Sequence, residues 1–392
     1  MDDVELRELV PRVLSVLVRR GADFATAEDA VQEALIRTVS AWDKEPPADP
    51  EGWLITVAWR VFIDMARSDA ARRDREVRFD AEPPAGVARS GDDTLHLYFL
   101  CAHPELTPSS AVALTLRAVG GLTTRQIAQA YLVPETTMAQ RISRAKRTVA
   151  QSGLDRPGDV QTVMQVLYLI FNEGYSGDID LVAEAIRLTR QLASSVNDPE
   201  VHGLLALMLL HHARRRSRTG PDGRLVPLAE QDRSLWDRAL IAEGISILQA
   251  ALARDRLGEY QAQAAIAALH ADARGVEDTD WVQIVEWYDE LRQFADTPIV
   301  RLNRAVAVGE AFGAPSGLAA LAEVDEHIPR RDAVAAHLHE KNGDLELAAR
   351  LYADAAHNAP NLAERDHQMR QAARLNQLPR PNQRPRPDGL GE

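Results

Sequence analysis

LTTRQIAQAYLVPETTMAQRISRAKRTV, residues 122–149, carries start and stop signals for two short helices joined by a tight turn. Thr123 and Gln126 stand at capping-box spacing: the hydroxyl accepts from the amide three residues on, and the carboxamide reaches back to the Thr123 amide. Ile127, Ala128 and Tyr131 give the first helix one apolar face. Leu132 and Val133 make the turn, and Pro134 suits a first helical position, where the missing N–H costs nothing. In the second helix Met138, Ile142, Ala145 and Val149 recur at helical spacing, so that stripe faces a core. The opposite side displays Thr136, Gln140, Arg144 and Arg147, flanked by Arg141. A helix lying in a DNA major groove reads base edges from early polar positions, and later basic side chains sit over phosphates. A solvated helix in an ordinary bundle has a similar polar face. The short first helix, the turn and Pro134 favour a DNA-binding helix-turn-helix.

Charge agrees with this only locally. The 392 residues carry 45 Lys and Arg against 58 Asp and Glu, a net charge of −13. Residues 1–152 hold 19 basic and 22 acidic groups, and residues 153–392 hold 26 and 36. Within residues 117–147 six cations face Glu135 alone, a local +5. Nucleic acid responds to such patches, because each neutralised phosphate releases counterions. Hydrophobic residues make up 45% of the chain, ordinary for a globular protein and too many for a disordered one. Cys101 is the single cysteine, which excludes an intrachain disulfide and a Cys-based zinc site. The longest apolar runs fall far short of the ~20 residues that cross a bilayer. The opening MDDVELRELV is acidic where a secretory signal is basic, so a soluble, cytoplasmic protein is expected.

Working outward, apolar residues recur at three- and four-residue spacing with no sustained alternation, which predicts an all-α fold. Pro46, Pro47 and Pro50 interrupt an early helical region, and DAEPPAGVARSGDD (80–93) reads as a polar linker. Gly153, Pro157 and Gly158 mark a second break. The expected organisation is a helical module over 1–78, a linker over 79–94 and a second module over 95–152. A helical extension over 160–378 and a Pro-, Arg- and Gly-rich disordered tail over 379–392 follow.

In the first module FATAEDAVQEALIRTVSAW (24–42) is amphipathic, with Asp29, Gln32, Glu33 and Arg37 on its polar side. EGWLITVAWRVFIDMARSDAARRDREVR (51–78) sets Trp53, Trp59 and Phe62 among Arg60, Arg67, Arg72, Arg73 and Arg75. Rings beside cations suit single-stranded nucleic acid, although Trp53 and Phe62 also fit a core. The succession DAVQEALIRTVSAW, WLITVAWRVFIDMAR, linker and LTTRQIAQAYLVPETTMAQRISRAK resembles the extracytoplasmic-function class of sigma-70-type bacterial sigma factors, over about residues 1–152.

The resemblance implies core RNA polymerase as a partner, through its β′ clamp helices and β flap, and promoter DNA as the other. It implies Asp29, Gln32, Glu33 and Arg37 as polymerase contacts. It assigns Trp53, Arg60, Asp64, Arg67 and Arg72 to the minus-ten region, and Thr136, Gln140, Arg141, Arg144 and Arg147 to DNA through the helix-turn-helix. Ala58-Trp59-Arg60 stands where the family usually has Ala-Arg-Asn, so promoter sequence does not transfer from relatives.

The extension opens on a broad apolar stripe (Val163, Val166, Leu167, Ile170, Phe171) running into NEGYSGD. Near its end Ala336, Gly343, Ala348, Tyr352, Ala355 and Pro360 fall where tetratricopeptide (TPR) repeats place small, turn, aromatic and terminating residues, which predicts a TPR-like α-solenoid. Earlier helical pairs, 181–215, 234–273 and 280–310, share the rhythm. The whole is similar to the sigma-factor subgroup with a long C-terminal extension. That likeness implies regulation in cis and a small YCII-like protein as a functional associate. No glycine-rich phosphate loop, GxSxG elbow or HExxH helix occurs, so neither catalysis nor a cofactor is expected. His211–His212, and His337 with His339, do not share a helix face, so a joint metal site would need partners from elsewhere, and core or surface histidines are expected. A second reading is a TPR-containing helix-turn-helix regulator or scaffold that acts without polymerase.

Overall fold

Side-chain caps cut the chain into helices at the places where its Thr, Asp and Asn residues stand. Thr107 accepts from the Ser110 amide ahead of Pro108, and Thr297 accepts from the Val300 amide ahead of Pro298. Asp180, Asp237, Asp280 and Asn361 cap four further helices. Each such cap is worth about 1 kcal/mol. The computed structural model describes residues 3–42, 47–73, 91–131, 133–152, 158–173, 175–176, 179–220, 224, 226–359 and 361–377. The expected disordered tail and most of the expected linker lie outside these residues.

Packing divides the chain into two units, Met1–Leu205 and Ala206–Glu392. The first contains α1 (Asp3–Arg19), α2 (Phe24–Trp42), α3 (Pro50–Arg73), α4 (Gly91–Cys101), α5 (Pro108–Ala118), α6 (Thr124–Ala130), α7 (Glu135–Ser152), α8 (Val160–Glu173) and α9 (Leu181–Ser195). The cut between the units falls inside α10 (Pro199–Ala213), not in the glycine- and proline-containing break before residue 160. Helix α4 begins at Gly91, within the stretch expected as linker. Asp92 and Asp93 read as linker by composition, yet acidic residues suit a first helical turn. One departure from all-helical structure is a two-residue antiparallel pair, β1 (Tyr175–Ser176) with β2 (Ile179–Asp180).

The core of the first unit is made by Leu14 and Leu17 of α1, Leu54, Ala58 and Phe62 of α3, Leu97 and Leu100 of α4, and Leu114 and Leu116 of α5, all fully buried. Burying such a leucine or phenylalanine contributes roughly 1.5–3 kcal/mol. The stripe predicted for α8 is buried throughout, from Val163 to Phe171. Two contacts tie the start of the extension to α4. The Gly158 amide donates to the Phe99 carbonyl at 2.9 Å, and a Cβ there would lie 2.3 Å from the Ala102 carbonyl oxygen, so only glycine passes this close. The buried Tyr98 hydroxyl donates to the Leu188 carbonyl of α9 at 2.9 Å.

In the second unit α11 (Arg238–Leu252), α12 (Glu259–Asp272), α13 (Trp281–Phe294), α14 (Pro298–Phe312), α15 (Ala314–Leu321), α16 (Arg331–Lys341), α17 (Leu345–His357) and α18 (Leu362–Asn376) pack each on the next. Three small apolar clusters follow one another along this series, centred on Ile284, Leu338 and Tyr352. Ala336, Ala348, Tyr352 and Ala355 are buried where α16 meets α17.

Candidate nucleic-acid interface

Helices α6 and α7 form the expected two-helix segment. Both capping-box bonds are present: the Gln126 amide donates to Thr123 Oγ1 at 3.2 Å, and the Thr123 amide donates to Gln126 Oε1 at 2.8 Å. Met138, Ile142, Ala145 and Val149 are all buried. Pro134 stands one place earlier than expected. Its carbonyl accepts from the Met138 amide, which makes it the residue flanking α7. Thr136, Gln140, Arg144 and Arg147 are exposed along one side of α7, and Arg141 is half-buried. Behind this surface the Tyr131 hydroxyl is buried without a partner, and burial pushes its pKa up.

On α3, Arg60, Asp64 and Arg67 are exposed at helical spacing and form one stripe. Trp53 beside them is half-buried. Trp59 and Phe62 are core side chains, their ring centroids 5.4 Å apart. The Arg72 side chain lies outside the described residues.

On α2, Asp29 and Arg37 are exposed, and Arg37 Nε donates to Glu33 Oε1 at 2.9 Å. Gln32, expected on this polar face, is buried, and its Nε2 has no partner. It lies four residues from Glu28, which is wholly buried, and so shares the face that α5 and α7 approach.

There the two modules meet in a cluster of two acids and two bases. Arg117 Nε of α5 pairs with Glu28 Oε1 at 2.8 Å. Lys146 Nζ of α7 pairs with Glu28 Oε2 and donates to Asp29 Oδ1 at 2.6 Å. Charge is balanced, as burial requires. One polymerase-contact candidate, Asp29, is therefore held by the same helix that displays Thr136 and Gln140.

Glu28, Lys146 and Arg117 were absent from the sequence-predicted set, yet a signal existed for two of them. Glu28 follows Phe24 by four and precedes Val31 by three, and Lys146 stands likewise between Ile142 and Val149. Each charge sits in its helix's apolar stripe, where burial demands a partner. Two residues past the NEGYSGD segment the Asp180 carboxylate accepts from the Ala183 amide as a cap of α9. Among the described residues no group of three His, Cys, Asp or Glu side chains is placed to hold a metal ion, and no helix is long and apolar enough to cross a membrane.

Residues 6–72 match the model of sigma-70 region 2, residues 96–149 that of sigma-70 region 4, and residues 159–252 a family of unknown function, DUF6596. An uncharacterized protein of Rhizobium meliloti, R00370, is 40% identical over 360 residues, 83% of this chain and 84% of that protein. Two sigma factors of Mycobacterium tuberculosis are similar over less than half of the chain. "Probable ECF RNA polymerase sigma factor SigI" is 27% identical over 44% of this chain, and "ECF RNA polymerase sigma factor SigJ" is 27% identical over 47%. The matches span 63% and 62% of those two proteins' own length.

Proposed function

The chain belongs to the extracytoplasmic-function (ECF) group of the sigma-70 family and carries a long C-terminal extension, and from that premise we propose that it binds core RNA polymerase and directs promoter-specific transcription initiation. The observation that carries this reading is the coincidence of the two sigma-70 region matches with the two helical groups whose exposed faces are polar and basic. In this reading α2 grips polymerase through Asp29, Glu33 and Arg37, with Gln32 supporting that helix from inside. Arg60, Asp64 and Arg67, with Trp53 and Arg72, act at the minus-ten region. The α6–α7 pair is a helix-turn-helix in which Thr136, Gln140 and Arg141 read bases while Arg144 and Arg147 hold phosphates. The polymerase performs the chemistry, and the protein acts in the cytoplasm by binding and strand separation. A YCII-like associate is no part of it.

The extension, read as TPR-like, regulates this activity in cis. Its α9 holds α4 through the Tyr98–Leu188 bond, while within the two modules themselves the Lys146–Asp29 contact keeps part of the polymerase face occupied. Binding to purified core enzyme and run-off transcription test the proposal. Asp29→Ala with Glu33→Ala lowers core affinity about tenfold, a loss of about 1.4 kcal/mol. Gln140→Ala with Arg144→Ala spares core binding and lowers promoter output. Failure of the full chain and of a chain ending at residue 198 to bind core enzyme at all overturns the reading. Duplex binding that ignores both the polymerase and the Asp29–Glu33 change would install the polymerase-independent regulator instead.

A further inference from the structure

Within the second unit a cavity of about 300 Å³ opens between α12, α13, α14 and α16. That is the lower end of the size range of small-molecule sites, too small for a folded partner. Trp281 and Tyr288 of α13 supply aromatic walls, and Val306 and Ala307 of α14 supply apolar surface. Polar groups enter at two ends of the helix series. Glu310 and His337 come from α14 and α16, and Arg233 and His270 from the α12 side.

The two ends differ in charge balance. Glu310 is already matched: His337 Nε2 lies 2.9 Å from its Oε1, and Lys341 Nζ donates to its Oε2. Arg233 is not matched among the described residues. Its Nη1 donates to the carbonyls of His270 and Ala273 at 2.7 and 2.6 Å, and its guanidinium lies 4.5 Å from the Trp236 ring centroid. Glu277 and Asp278 act on it only at longer range, against Arg238. Behind it the largely buried Arg214 also faces the Trp236 ring, its Nε without a partner. Burial and then Arg218 and Arg233 press the Arg214 pKa down to about 10. Burial, with Arg214 and Arg233, likewise takes His270 to about 4, so its ring is neutral at pH 7. This end of the cavity has uncompensated positive charge and a neutral imidazole able to donate.

We infer that the cavity binds a small aromatic carboxylate, its headgroup at Arg233 and His270 and its ring between Trp281 and Tyr288. A guanidinium and a neutral ring N–H match two carboxylate oxygens, and the apolar walls take the body. Under the sigma-factor reading such a molecule is the signal sensed by the extension. Binding itself does not depend on that reading.

Calorimetry and thermal melting of the full chain, without polymerase, test the inference with 3-phenylpropionate as the probe. Its amide, its amine analogue 3-phenylpropylamine, and phenyl phosphate are the comparison ligands. The expected result is saturable binding of the carboxylate, about tenfold or more tighter than the amide, with the amine inert. Arg233→Gln abolishes it, but that residue also anchors a loop to α12. Asn303→Trp, at an exposed position lining the cavity, therefore serves as a second variant: it blocks binding while the melting temperature of the free protein is kept. Equal binding of acid and amide, no saturable binding, or binding that survives both substitutions overturns the inference. A clear preference for phenyl phosphate overturns the carboxylate assignment. Each of these results leaves the polymerase assays untouched, so the two readings fail separately.

Discussion

Lys146 is one of only three lysines, with Lys44 and Lys341, among 45 basic residues. Two of the three pair with carboxylates, buried Lys146 with Glu28 and exposed Lys341 with Glu310. A compact ammonium fits between Glu28 and Asp29 where the wider, planar guanidinium does not. Lys146→Arg is thus expected to destabilise despite keeping the charge. Lys146→Met leaves wholly buried Glu28 with Arg117 alone and should cost about 3 kcal/mol, the low end for breaking a buried pair. The urea midpoint reads both, and an unchanged midpoint in Lys146→Met would mean Glu28 does not need the ammonium. Glu310 makes a prediction in pH. His337 above all, then Lys341, lowers its carboxyl from 4.5 to about 2. A depressed carboxyl stabilises the fold fully above its unfolded value, and that contribution is lost as pH falls from 4.5 toward 2. After allowance for solvent screening it is about 1–2 kcal/mol. Melting temperatures of Glu310→Gln should therefore fall less steeply than wild type over that window, and parallel curves would refute the point. The apolar-stripe position of Glu28 and of Lys146 is visible in sequence, whereas Lys146 and Asp29 meet across 117 residues and local periodicity says nothing of that pairing.

At the scale of elements, spacing and caps placed most helices because both are local. The expected pairs 181–215, 234–273 and 280–310 correspond to α9–α10, α11–α12 and α13–α14. Errors fell where composition misled: Gly91 to Thr94 looks like linker but begins α4, and the α6–α7 turn places Pro134 just outside α7. Close helix approach was also illegible, because it depends on what lies opposite a small residue. Helices α14 and α15 touch at Gly309 and Gly317, and a Cβ on Gly317 would lie 2.7 Å from the Gly309 Cα and 3.0 Å from the Ala305 carbonyl oxygen. Alanine gains about 1 kcal/mol of helix propensity, but overpacking against backbone costs about 1–3 kcal/mol. Gly317→Ala should therefore lower the melting temperature. A Cβ on Gly309 would chiefly meet the end of the Leu338 side chain, which can turn aside, so Gly309→Ala should be milder. The reverse order in melting experiments would contradict this account of the crossing.

On the proposal that Asp29 contacts polymerase, α2 and α7 cannot both keep the Lys146–Asp29 contact and give Asp29 to polymerase. Binding must then draw on the fraction of molecules in which the contact is open, and apparent affinity falls by that fraction. The Glu28 part of the cluster is buried and resists salt, while the exposed Asp29 is screened. Opening therefore depends on more than ionic strength. A distance probe can follow it directly. Cys101 is fully buried and its thiol pKa is pushed up by burial, so it does not compete for labels at neutral pH. Ile36→Cys on α2 and Ala139→Cys on α7 are exposed positions within one unit and accept a fluorophore pair. Free protein should give one short separation, and core polymerase should lengthen it. Lys146→Met should populate the longer separation before polymerase is added and tighten core binding. If the separation stays short in the polymerase complex, Asp29 is not surrendered, and the contact between α2 and α7 is a permanent part of the working protein.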